Sequence, residues 1–502
     1  MRPRVALALF VKNEYSDIAG WIAWHAAWGV STFFIYEDHS SDGTYEILQA
    51  AAKCYDIRLT RTNPIEQPDF YLRQRDAFMD AAQQARGQFD WIGFLDGDEY
   101  IYLRYHETLQ TYLADLDHAD GIAFSWRIHG TSGRVVRPHA LTVAAFPRHS
   151  TPELNDNVLV KSFVRPEKMG NKYHNPHWFD VSTQRYVRPN GVPVLSANSA
   201  QEIDWNDGFV LHYICRSLEH YIQRIKRRLN VDLSDSDGYL KHFDRNDVLD
   251  EEPLKLVPRT EVLLLPIYEA ALDYAIEKLR SAATFFVDVS FHEPATSTEY
   301  NASPPERVLI YRFETFFKTR IYYIPSESRL LHTTPDVAER HGFLEVLGSK
   351  HSSTPHLMTL FIPGFIGPLK ISMDERLMRS LVYRCHKRPD GRLGLRNPIS
   401  NLYLSCQDPS SGSNLVEANR RSADEWEFLE PTLIEEQLSS TANTISGFFA
   451  DRGFSVSRII HWLKSMPQAP DRETFLRVFY QASPSVQEEI SRGVPGLLWN
   501  VM

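Results

Sequence analysis

The run Trp91-Ile-Gly-Phe-Leu-Asp96-Gly-Asp98-Glu99-Tyr100 carries an apolar stretch straight into three carboxylates set around one glycine. Carboxylates so close repel one another unless a cation is shared among them, and hard oxygen donors suit Mg²⁺ or Mn²⁺. An ion held there would bridge a diphosphate and neutralise charge as the phosphate leaves. A solvated acidic turn would need no metal, but it does not explain why a strongly apolar strand delivers the carboxylates.

A second group, Tyr36-Glu37-Asp38-His39-Ser40-Ser41-Asp42-Gly43-Thr44, ends another apolar run in polar residues. Asp38 at that strand end could accept ribose hydroxyls or a base N–H, while Asp42 could cap the helix that Gly43 launches.

These residues need elements to hold them. Residues 1 to about 125 alternate short apolar runs with helical patterns, the signature of a parallel sheet covered by helices. Strands are expected at Val5–Val11, Thr32–Tyr36, Ile57–Thr60, Trp91–Leu95 and Gly121–Trp126, with helices at Ile18–Trp28, Thr44–Lys53 and Leu72–Ala85. In such α/β sheets ligands lie beyond the carboxyl ends of the strands, which here carry Lys12-Asn13-Glu14, Glu37-Asp38 and Asp96 to Glu99. Further strands are expected at Leu141–Phe146 and Val158–Val164, and helices at Ser217–Leu229 and Thr260–Ala283.

Taken in order, Lys12-Asn13-Glu14, Trp21-Ile-Ala-Trp24-His25 with Gly29-Val30, Tyr36 to Gly43, and Leu95 to Tyr100 resemble the motifs of the glycosyltransferase family 2-like group, close to glycosyltransferase family 92. Val160-Lys161-Ser-Phe-Val-Arg165-Pro166, Tyr173-His174-Asn-Pro-His177 and Leu211-His212-Tyr213 with Arg216-Ser217-Leu218-Glu219 extend the similarity over about residues 4 to 230. The resemblance implies a GT-A fold using a nucleotide-diphospho-sugar, UDP-linked, with a divalent cation, Mn²⁺ or Mg²⁺. By position, Asn13, Glu14 and Asp38 would line the nucleoside pocket, Asp96 would sit near the ribose and Asp98 would ligate the metal. His212 is the candidate for the remaining ligand, with His177 as rival. Glu99, His174 and His177 would face sugar or acceptor. The family usually has lysine before Ser217; Arg216 keeps the charge for a phosphate with a different geometry. An inverting displacement needs a carboxylate base on the acceptor side; Asp156, Glu202, Asp204 and Asp207 are all possible, and Asp204 and Asp207 are the ones put forward. Arg224, Lys226, Arg227 and Arg228 form a basic cluster, either a solvated face or a contact for phosphate or acidic lipid.

Beyond Thr296–Pro305, the best linker, short apolar runs alternate with turn residues and read as an all-β unit. A faint internal echo at about 40 residues suggests a three-lobed barrel. Gly391-Arg-Leu-Gly-Leu-Arg396, Tyr403-Leu404, Leu415, Ala418-Asn419-Arg420 and Trp426-Glu427-Phe428 resemble a lobe of a fascin-like β-trefoil, with Trp426 and Phe428 in its core. From about 436 helical patterns return. The expected organisation is an α/β GT-A domain at 1–295, a β-trefoil-like domain at 303–433 and a helical region at 436–502.

Composition sets the outer bounds. With 502 residues, about three domains are expected, and 43% hydrophobic residues rule out a mainly disordered chain. A net charge of -10 supplies no general field for nucleic acid or an anionic membrane. No stretch approaches the ~18 apolar residues of a membrane span, and Lys12-Asn13-Glu14 follows the first apolar run where a signal peptide would need small residues. Cys54, Cys215, Cys385 and Cys406 are too scattered for a metal ribbon or disulfide framework, so reduced thiols and a cytoplasmic location are expected, with peripheral contact to the inner membrane face left open. The expected function is a metal-dependent glycosyltransferase acting on a glycan, lipid or protein acceptor. The rivals are a carbohydrate-binding or scaffolding protein on a transferase fold and a nucleotidyltransferase; the latter usually has a Gly-rich phosphate loop where Lys12-Asn13-Glu14 stands.

Overall fold

The apolar run near the amino end becomes β1 (Val5–Val11), buried along its whole length. It pairs in parallel with β2 (Thr32–Glu37) on one side and β4 (Trp91–Leu95) on the other, and central parallel strands read as unbroken apolar runs because both faces are covered. β3 (Asp56–Arg61) lies beyond β2, and α1 (Ile18–Ala27), α2 (Thr44–Ala51) and α3 (Phe70–Ala85) form the crossovers. With β5 (Glu99–Leu103), β6 (Gly121–Ile128), β7 (Val160–Val164) and β8 (Gly208–His212) the strand order is β3-β2-β1-β4-β7-β6-β8-β5. The computed structural model describes residues 2–227, 236–281, 306–370, 377–439, 445, 449 and 453–502. Two compact units divide the chain, Met1–Ala270 and Ala271–Met502. The expected linker at Thr296–Pro305 lies outside the described residues.

β5 is an edge strand that is not among the elements expected from the sequence. Its exposed backbone groups are closed off by α1: Trp21 Nε1 donates to the Glu99 carbonyl and Trp24 Nε1 to the Ile101 carbonyl, both at 2.8 Å. His25 Nε2 accepts from the Ile101 N–H at 3.3 Å, and its Nδ1 meets the Trp21 carbonyl at 2.8 Å. Burial brings this imidazole down to about 3, so it is neutral and can act as both acceptor and donor. The Trp-Ile-Ala-Trp-His motif thus protects a sheet edge and fixes the strand that follows Asp98. Trp24→Phe, which leaves the Ile101 carbonyl unpaired, should cost about 1–3 kcal/mol in urea unfolding.

Leu141–Phe146, expected as a strand, instead contains a short helix at Thr142–Ala145. The Thr142 hydroxyl donates to Asp17 at 2.8 Å, and Tyr100 Oη lies 3.2 Å from it. An apolar run this short does not reveal its period.

In the second unit, β9 (Glu306–Glu314), β10 (Arg320–Ile324), β11 (Arg329–Thr333), β12 (Leu347–His351), β13 (Leu357–Phe361), β14 (Leu381–Lys387), β15 (Leu393–Arg396), β16 (Tyr403–Cys406), β17 (Val416–Arg420) and β18 (Phe428–Ser439) pair antiparallel. The pairings β9-β12-β13-β14-β15-β18 return to β9, so six strands close a ring. The hairpins β10-β11 and β16-β17 stand off it. Leu330, Met358, Leu360, Leu395, Leu404 and Leu429 belong to the shared core. Trp426 and Phe428, expected in that core, are half-buried, and Leu429 occupies the inward position; along a strand a one-residue offset changes the face. Helices Val456–Ser465, Arg472–Gln481 and Pro484–Gly493 follow. All four cysteines are free thiols, and among the described residues no helix is long and apolar enough to cross a membrane.

Candidate functional site

The carboxyl ends of β1, β2 and β4 meet as the strand order requires. Asn13 takes a left-handed conformation, φ +57°, which asparagine tolerates better than most residues. Its N–H donates to Ser40 Oγ and its Oδ1 accepts from the Ser41 N–H, both at 2.8 Å. Asn13 therefore fastens the β1 loop to the β2 loop. Asp42 Oδ1 accepts from the Thr44 N–H at 3.0 Å and so serves the first turn of α2, while Gly43 supplies the φ of +100° the turn requires.

Asp38 is buried and fully engaged. Arg73 grips it with both nitrogens at 2.7 and 2.8 Å, the Thr62 hydroxyl donates at 2.6 Å and Lys12 Nζ lies at 3.3 Å. Burial works against its charge, but the Arg73 and Thr62 hydrogen bonds and the Lys12 and Arg73 charges overcome it and bring the carboxyl down to about 2. The folded value is below the ordinary 3.8, so its stabilisation is present above about pH 4 and lost as pH falls toward 2. The stability gap between the native chain and Asp38→Asn should shrink by about 2 kcal/mol over that interval in urea melts.

The three clustered carboxylates are divided between two side-chain cations of the protein itself. Lys161 on β7 is fully buried, with Nζ 2.6 Å from Asp96 Oδ2 and 3.2 Å from Glu99 Oε2. Burial opposes its charge, and Asp96 and Glu99 maintain it. Glu99 has no exposed surface; burial raises its carboxyl above the usual range against the pull of Lys161, with Asp96 and Asp98 adding to the rise. Expected at the sugar or acceptor, Glu99 instead faces Lys161 beneath the site and accepts from the Asp96 N–H at 2.8 Å. Asp96 is partly open and also lies 3.4 Å from Gln74 Nε2.

Asp98 turns to the other side of the loop. Its Oδ2 accepts from Arg224 NH1 at 2.7 Å and its Oδ1 lies 3.8 Å from His212 Nε2. Burial disfavours the carboxylate, but Arg224, His212 and Arg216 hold it well below the usual range. His212 ends β8, in register with Glu99 on β5, and its ring packs on Trp126 with centroids 4.1 Å apart. Burial lowers its imidazole, against the pull of Asp98, which favours the neutral ring a metal requires. His177 packs on Trp126 at 5.2 Å and is brought down to about 3 by burial and the Lys161 charge. His174 is exposed, 3.9 Å from Asp180.

Arg216, expected at a diphosphate, is buried at φ +51° with NH1 2.7 Å from Glu14 and 3.0 Å from Asp17. Its carboxylate partners lock it in place. Arg224, on α4 (Leu218–Arg227), is the cation that reaches the loop. His220 and Arg224, four residues apart on α4, share a helix face, while Arg216 precedes the helix. The side chains of Lys226 and Arg227, and all of Arg228, lie outside the described residues.

Strand direction separates the base candidates. Asp204 and Asp207 precede Gly208, at the opposite end of β8 from His212; five residues at ~3.3 Å each place Asp207 roughly 15 Å from it. Asp204 Oδ1 and Oδ2 accept from the Asn206 and Asn190 N–H groups, and Arg188 pairs with Glu202. Asp156 precedes β7, on the His212 side of the sheet, and its Oδ2 lies 2.8 Å from His242 Nε2 on α5 (Ser236–Phe243).

Asp98 Oδ1 and His212 Nε2 offer a hard oxygen and an imidazole nitrogen, a donor set that suits Mn²⁺. No group of three or more His, Cys, Asp or Glu able to hold an ion occurs among the described residues, so other positions would fall to ligand oxygens and water.

Residues 5–229 match the glycosyltransferase family 92 model. This stretch contains Asn13, Asp38, Asp96, Asp98, Lys161, His212, Arg216 and Arg224. A glycosyltransferase family 92 protein of Ricinus communis is 30% identical over 168 residues, 31% of this chain and 27% of that protein. The chain therefore spans about a quarter of that relative's length. Among solved structures, S. aureus TarS 1–349 is 13% identical, covering 54% of this chain and 85% of its own, at a TM-score of 0.24. M. tuberculosis glucosyl-3-phosphoglycerate synthase, solved with Mn²⁺, UDP-glucose and phosphoglyceric acid, is 16% identical, covering 37% and 70%, at a TM-score of 0.23.

Proposed function

We propose that this chain is a metal-dependent glycosyltransferase of GT-A type that moves a sugar from a UDP-linked donor to a glycan, lipid or protein acceptor, with inversion. The observation that carries the reading is the pairing of Asp98 with His212 at 3.8 Å, beyond a sheet whose motifs fall inside the family 92 match. Asn13, Glu14 and Asp38 shape the nucleoside end, Asp96 stands at the ribose, and Asp98 and His212 would hold the ion, which would supply neutralisation of charge developing on the diphosphate. Arg224 is placed to exchange its bond with Asp98 for the diphosphate, taking the role first given to Arg216. The imidazole of His242 orients Asp156, which supplies the base in place of Asp204 or Asp207. Trp126 and His177 form a wall beside His212 for the sugar. The six-stranded ring with its standing hairpins supports a β-trefoil for the second unit.

Thermal unfolding of the full chain with UDP-, GDP- and ADP-sugars, with and without Mn²⁺, tests the reading. A ligand that binds only the folded state raises the midpoint. Stabilisation by a UDP-sugar that needs Mn²⁺ is expected; stabilisation by none of them would overturn the proposal.

A further inference from the structure

The second unit contains a cavity of about 600 Å³, within the roughly 300–1,000 Å³ of small-molecule sites. It lies between β9, β12 and the helix Arg472–Gln481. His351 bridges two carboxylates there, with Nδ1 3.3 Å from Glu306 Oε2 and Nε2 3.3 Å from Glu473 Oε1. Arg477 NH1 lies 3.3 Å from Glu306 Oε1. Glu306 is 3% exposed and Arg477 4% exposed.

His351 Nδ1 and Glu473 Oε1 make these 3.3 Å ion-pair contacts without a well-aligned hydrogen bond, and Arg477 Nε has no hydrogen-bond partner among the described residues, whereas buried polar groups are normally satisfied. Phe361, Ile362 and Phe365 also line the cavity, and the Phe365 ring packs 5.4 Å from that of Tyr323. Asp471 and Arg379 complete the charged lining, so three carboxylates face two guanidiniums and an imidazole. Lined by groups of both signs, the cavity presents no single-sign field to an anion or a cation. Donors and acceptors together with aromatic and aliphatic lining match a neutral molecule that carries both hydroxyls and C–H groups.

We propose that this cavity is a saccharide-binding site, in which Glu306, His351, Glu473 and Arg477 bond sugar hydroxyls and Phe365 packs against the ring. It is independent of the donor site and adds a second carbohydrate contact to the chain.

Calorimetry on the full chain tests this with glucose, galactose, mannose, N-acetylglucosamine, maltose, cellobiose and lactose. At least one should bind, and both Glu473→Gln and Phe365→Ala should weaken that binding by about tenfold, the loss of one charged hydrogen bond or one packed face. Asp98→Asn should leave it unchanged, which separates this site from transfer. Because Phe365 makes none of the ion pairs, its variant gives the answer even if Glu473→Gln fails to fold. Absence of binding by all seven sugars at about 10 mM, a ligand concentration that detects even the weakest useful sites, would overturn the proposal. So would binding that Phe365→Ala leaves unchanged, or displacement of the sugar by inorganic phosphate.

Discussion

Asp98→Asn should reduce sugar transfer by about 10²–10³-fold, the loss expected when one preorganised contact to developing charge is removed. The substitution keeps the side chain's size and one oxygen, so the β4–β5 loop retains its shape. It removes the charge that Arg224 meets at 2.7 Å and the oxygen that faces His212 at 3.8 Å. UDP affinity should fall only where Mn²⁺ had raised it, leaving the metal-free affinity nearly unchanged. Rates, together with UDP titrations in Mn²⁺ and in chelator, check this. A variant that keeps native transfer would remove Asp98 from the reaction.

Lys161→Met should cost about 3–5 kcal/mol of folding stability, the usual penalty for breaking a buried ion pair from one side. Its ammonium has no exposed surface and serves both Asp96 and Glu99. Without it, carboxylates at positions 96, 98 and 99 face one another with Arg224 as the cation at only one of them. Neutralising the partner in the double variant Lys161→Met, Glu99→Gln should recover a large part of the loss, because the buried charge goes with it. Urea unfolding of the native chain and the variants measures both. A Lys161→Met protein as stable as the native chain would mean that the cluster is hydrated and that Lys161 does not hold it.

The contrast between these residues shows what the sequence could carry. The strands at Val5–Val11 and Trp91–Leu95 were legible because both faces of a central parallel strand are buried, leaving unbroken apolar runs. The loops that end them were legible for the same reason, so Asn13, Asp38 and Asp98 were placed at one edge. Which cation meets which carboxylate was not. Lys161 sits 62 residues beyond Glu99 in the numbering, and only the antiparallel pairing of β4 with β7 brings them together. The cation that Asp96 and Glu99 share is supplied by the protein, as Lys161.

The partners of Arg216 and Arg224 were illegible for a related reason. A sequence shows charge but not direction, and the left-handed backbone at Arg216 turns that side chain back onto Glu14 and Asp17. Asp204 and Asp207 lie close to His212 along the chain, yet β8 carries them to the other end of the sheet. Asp156 is farther along the chain and nearer in the fold, because β7 runs antiparallel to β6.

Paramagnetic broadening of the histidine ring protons by Mn²⁺, read in the full chain with UDP present and assigned with His212→Ala and His177→Ala, tests the central claim most directly. The His212 signal should broaden first and His177 next, with His174 later, and Asp98→Asn should abolish the ordered response. If His212 stays sharp while Mn²⁺ and UDP bind together, the ion lies elsewhere and the assignment of Asp98 and His212 as its ligands is wrong.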